Sequence, residues 1–153
     1  MGYGRLYLGD ALATSGITQT YLDESSWTPF TGAGQSRSRS FTIADTSKRT
    51  VVVVAWTDQP ATVNPNNTSM PTLVNDLDTE VVVNNSPCVY TGNIMSNELS
   101  TAECSAVAYD HWNNVEMIVI PPNSATSFTL YVHETTWGGG STQSFATFAA
   151  NAF

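Results

Sequence analysis

Carboxylates are the side chains whose spacing in this sequence could do chemistry. In Leu73-Val74-Asn75-Asp76-Leu77-Asp78-Thr79-Glu80, an extended backbone puts Asp76, Asp78 and Glu80 on one face. Three like charges in a row repel each other unless water or cations meet them. A second oxygen-rich stretch, Asp110-His111-Trp112-Asn113-Asn114-Val115-Glu116, runs directly into the apolar segment 117–120. Calcium takes six to eight oxygen ligands, and two converging loops of this composition could supply them. The competing reading is a solvated acidic face beside an Asn pair that closes a turn through side-chain to backbone hydrogen bonds. Neither stretch has the dense Asp-x-Asp-x-Asp-Gly loop of an EF-hand.

The other reactive types are few. Of the two histidines, His133 falls on the polar face of a predicted strand, as a surface residue does, and His111 lies in the second oxygen-rich stretch. Turn or packing duty suits His111 better than ligation of calcium, which prefers oxygen. Trp27, Trp112 and Trp137 fall in predicted loops. Exposed there, they could stack on sugar rings; folded back, they would cover the core edge. Trp56 lies in an apolar run and belongs to the core. Cys88 and Cys104 flank a polar segment, and pairing them would stabilise the fold by about 3 kcal/mol on the chain-entropy account. Two unrelated thiols are the alternative.

These groups need a scaffold, and composition says which. With 153 residues, 41% of them hydrophobic and only 12% charged, the chain is the size of one domain. Abundant Ser, Thr, Asn and Gly with recurrent Val runs fit an extracellular β-protein. Five Lys plus Arg against thirteen Asp plus Glu give a charge of −8, which repels phosphate backbones and anionic lipid, so neither nucleic acid nor membrane is an expected partner. No apolar run reaches the ~20 residues of a membrane span, and the first residues do not read as a signal peptide. Segment 5–14 has some helical pattern before Gly16 and reads as an arm. Strands are predicted near 17–22, 38–44, 50–57, 72–83, 87–91, 115–120, 126–133 and 143–150, about eight in all, separated by Gly- and Pro-bearing links. The expected fold is an all-β antiparallel sandwich. Sequons stand at Asn66, Asn67 and Asn84.

The order Gly2-Tyr3-Gly4-Arg5, then Val53-Val54-Ala55-Trp56-Thr57-Asp58-Gln59-Pro60, then Leu73 to Asp78, then Tyr90-Thr91-Gly92-Asn93, then Asn113-Asn114-Val115-Glu116 resembles subtilisin-like serine proteases that carry a C-terminal β-barrel. The resemblance implies that residues 1–14 are the end of a protease catalytic domain and that 15–153 are a jelly-roll-like accessory sandwich packed against that domain. It implies a secreted parent, with the catalytic domain of the same polypeptide as partner and a polysaccharide or protein substrate as a further one. Since some members bind calcium in the barrel, it also puts forward Asp76, Asp78, Asp110 and Glu116 as ligands, with Asn114 and Asp58 beside them. The chain departs from the family pattern between Tyr90 and Asp110, where it has a longer loop and both cysteines.

The same comparison argues against catalysis within this chain. Asn67-Thr68-Ser69-Met70-Pro71 is superficially similar to the protease nucleophile segment, but the preceding glycine is missing and Pro71 would break the helix that follows such a serine. Both histidines come after Ser69, whereas in subtilases the catalytic Asp and His come before the serine. A non-catalytic role is therefore expected, with a carbohydrate- or substrate-binding module built on Trp27, Trp112 and Trp137 as the alternative.

Overall fold

The computed structural model describes residues 16–61 and 73–153. The arm at 1–14, the sequons at Asn66 and Asn67 and the Thr68-Ser69 segment lie outside the described residues. Within them the chain forms β1 (Gln19–Leu22), β2 (Ser36–Thr42), β3 (Thr50–Ala55), β4 (Asn75–Val83), β5 (Val89–Ser96), β6 (Leu99–Glu103), β7 (Val115–Ile120), β8 (Ser127–Trp137) and β9 (Ala146–Ala150), with one short 3-10 turn at Glu24–Ser26. None of the described helical segments is long and apolar enough to cross a membrane.

Two antiparallel sheets carry the strands, one in the order β1-β9-β3-β7 and the other β2-β8-β4-β5-β6. The pairing is nested: β1 with β9, β2 with β8, β3 with β7 and β4 with β5. This is the jelly-roll order, and the all-β sandwich read from the sequence is what the chain forms. The strands alternate as half-buried strands must. Val52 and Val54 of β3, Ile118 and Ile120 of β7 and Ala149 of β9 face Leu77, Val81, Phe128, Leu130 and Val132 of the other sheet, and all are buried.

A ninth strand, β6, was not legible as a strand, and β5 runs five residues past its predicted end at 91. Asn97 and Glu98 join the two with φ of 51° and 67°. Two successive left-handed residues make the tight hairpin that suits the twist of paired strands, usually signalled by Asn-Gly or Asp-Gly. With Glu in the second position that signal is absent. Cys88 and Cys104 close this hairpin as a disulfide across a separation of 16 residues.

Candidate cation site

Four of the segments noted in the sequence meet at one end of the sandwich. Asp58 accepts hydrogen bonds from the backbone amides of Val74 (2.6 Å) and Asn75 (2.9 Å) and so anchors the start of β4. The indole of Trp56 donates to the Asn75 carbonyl at 3.1 Å, and its backbone amide donates to the Asn114 carbonyl at 3.1 Å. Asn114 returns a side-chain bond to the Trp56 carbonyl at 2.9 Å. The buried Asn75 side chain holds the amides of Gly138 and Gly139. Asn93 donates to Asp110 at 2.6 Å and to the Val115 carbonyl at 2.9 Å, and accepts from the Met117 amide. Asp58 and Asn114 thus serve as clamps that fix β4 and β7, with their polar atoms turned to the backbone.

What the clamps hold in place is a carboxylate cluster. Leu77 points into the core, so Asp76 and Asp78 project from the opposite face of β4, where Asp78 pairs across to His133. A bulge opposite Asp76 and Leu77 leaves Thr135 as the extra residue on β8. The face is not solvated: Asp76 and Asp78 are 4% and 0% exposed. His111 lies over them, its Nδ1 2.6 Å from Asp76 Oδ2 and 3.8 Å from Asp78 Oδ1. One atom from each of Asp76, Asp78 and His111 fits within 4.8 Å of the others. Asp110 stands next in the chain, bonded to Asn93, Asn113 and the Trp112 amide.

Both carboxylate oxygens of Asp78 and one of Asp76 are buried without a hydrogen-bond partner. Burial, reinforced by the charge of Asp76, raises the Asp78 carboxyl to about 6. Burial raises Asp76 too, with Asp110 adding repulsion and His111 opposing it. His111 is in turn raised by its bond to Asp76. Buried carboxylates lacking donors are costly unless a cation meets them. Oxygen-rich, negatively charged and short of donors, the cluster fits a divalent cation, and the His111 imidazolium can neutralise the same two carboxylates.

Glu116 sits near this cluster but not in it. On β7 it pairs with Val54 and faces inward with Ile118, against Gly92 of β5, where an added Cβ would lie 2.3 Å from Glu116 Oε2. It is 1% exposed and neither of its carboxylate oxygens has a partner. Burial, with repulsion from Asp78 and Asp110, pushes its carboxyl up to about 9. Of the tryptophans, Trp27 and Trp137 pack against the core, and Trp27 meets Phe145 in a tilted contact at 4.8 Å between ring centres. Trp112 is 55% exposed. His111, assigned by sequence to turn or packing duty, is the residue that completes the cluster; its signal was its place directly after Asp110.

No family model matches the chain, and no curated protein matches it. Among solved structures it is similar to the P-domain of Macrobrachium rosenbergii nodavirus, at 15% identity over 89% of this chain and 92% of that one, with a TM-score of 0.27. A likeness of that degree carries no statement about function.

Proposed function

We propose that the chain is the non-catalytic C-terminal sandwich of a secreted subtilisin-like serine protease, that it docks on and stabilises the protease domain, and that it holds calcium at Asp76 and Asp78. The supporting observation is the convergence of the Trp56–Asp58, Asn75–Asp78, Gly92–Asn93 and Asn113–Glu116 segments around buried carboxylate oxygens that have no donor. Those are the segments that carry the family resemblance. Calcium would tie β4 to the loop bearing Asp110, binding the folded state alone and so stabilising it by mass action. The Cys88–Cys104 disulfide suits an oxidising compartment.

Thermal melting tests the calcium part. Calcium should raise the midpoint, EDTA should reverse the rise, and Asp78→Asn should abolish it; an unchanged midpoint on chelation removes calcium from the account. Docking is tested by the half-life of the parent protease domain at raised temperature with and without this sandwich, which should fall when the sandwich is deleted. The alternative binding-module reading retains Trp112 as its exposed ring, and sugar binding on a glycan array that disappears in Trp112→Ala would favour it.

A further inference from the structure

The outer face of the sheet β1-β9-β3-β7 has the composition of an interior. Val52 and Val54 of β3 and Ala149 of β9 belong to the core, so Val51, Val53, Ala55 and Phe148 point the other way, out of the sandwich. An antiparallel sheet with one side in water places polar residues on that side. Here β1, β3 and β9 hold no charged residue at all, and Glu116 of β7 faces inward, although the chain carries a charge of −8. Tyr21 and Phe148 meet with ring centres 4.9 Å apart. Together with Leu22, Val53, Ala55 and Ala146 they wall a groove of about 280 Å³ that runs over β1, β9 and β3. Asp23 stands at its rim, held by the hydroxyls of Ser25 and Ser26. A contiguous apolar face of this kind marks a surface made to be covered.

The chain itself supplies a match. Residues 1–15 lie outside the described residues and join the sandwich at Gly16. Tyr3, Leu6, Tyr7, Leu8, Ala11 and Leu12 make them mainly apolar, and their charged side chains are Arg5 and Asp10. The point of entry is fixed, because the Thr18 carbonyl accepts from the Asn151 amide at 2.6 Å, beside the end of β9. Gly16 has a φ of 69°, a left-handed bend and not a continuation of β1. A segment of this length reaches at most about 50 Å. Four strands at ~4.8 Å spacing are only about 15 Å across from first axis to last. A segment tethered so close meets the face at an effective concentration of roughly millimolar, well above that of a second chain in dilute solution.

We propose that residues 1–15 are the occupant of this face, seating their leucines against Val53 and Phe148, so that the sheet β1-β9-β3-β7 is covered on both sides. The seat lies on a different sheet from the carboxylates of β4. If residues 1–14 end a protease domain, as the resemblance implies, this face is where that domain meets the sandwich, but the seat itself needs only the segment and the face.

The test uses the full chain with isotope-labelled Leu and Val methyl groups. Nuclear Overhauser contacts should run from the methyls of Leu6, Leu8 or Leu12 to Val53 or the Phe148 ring within one chain. Val53→Asp, which puts a charge on the outer face, should remove them and speed trypsin cleavage after Arg5 about tenfold, whereas Val53→Ile should keep both as in the wild type. Leu8→Asp should act as Val53→Asp does, and it carries the test if Val53→Asp does not fold, since it changes the segment alone. Three results would overturn the proposal. The contacts are missing in the wild type; or they arise only between chains in a sample mixing labelled and unlabelled protein, which gives the face to a second copy; or trypsin cuts after Arg5 equally fast in the wild type and in Leu8→Asp.

Discussion

At the scale of single residues, Glu116 makes a clear prediction. Its carboxyl is raised from 4.5 to about 9 by burial, so the unfolded chain loses this proton first as pH rises. A raised carboxyl stabilises most below its ordinary range, and that contribution drains away between about pH 4.5 and about 9. In chelator, the urea midpoint of the wild type should therefore fall across this window, while Glu116→Gln, which keeps the shape and sheds the charge, should fall less and be the more stable protein at pH 8. Gly92 is the complementary case. A Cβ there would lie 2.5 Å from Glu116 Cδ and 2.7 Å from its Cβ, too close for a small adjustment of the side-chain tip. Gly92→Ala should cost about 1–3 kcal/mol, the range of overpacked cores, measured by urea unfolding.

At the scale of elements, the β5–β6 hairpin shows what can be read from sequence and what cannot. The Val-rich β3 and the alternating β8 announced themselves, because burial on one or both faces leaves a period in the residue types. β6 did not, because Asn97-Glu98 is an uncommon pair for a two-residue turn. Half of the site was legible: in β4 the polar positions alternate with Leu77, so Asp76 and Asp78 had to share a face. Glu116 was not, since β7 is apolar on both sides of the sheet and the period alone could not say which way a lone carboxylate turned. Nor could spacing show that His111 would lie over the β4 carboxylates, a placement set by long-range contacts such as Asn93 to Asp110. The disulfide bounds the same hairpin. Replacing both Cys88 and Cys104 by Ser should lower stability by about 3 kcal/mol, read from the urea midpoint, because a closed loop of this length restricts the unfolded chain by about that much.

At the scale of the whole molecule, calcium bound as proposed would act on the global equilibrium. Saturation at about a hundredfold above Kd would contribute about 2.7 kcal/mol, which for a chain of this size is an expected rise of roughly 5–10 °C in the melting midpoint, lost in Asp78→Asn. The nested pairing has a reach of a different kind. β9 (Ala146–Ala150) lies between β1 and β3, so an interior strand of one sheet is made from residues near the end of this sequence and β1 waits for it across the length of the domain. A ribosome releasing this polypeptide cannot finish that sheet until residue 150 has left the exit tunnel. Nascent chains stalled before that point should remain open to protease along β1 and β3, and the sandwich closes only once β9 has emerged.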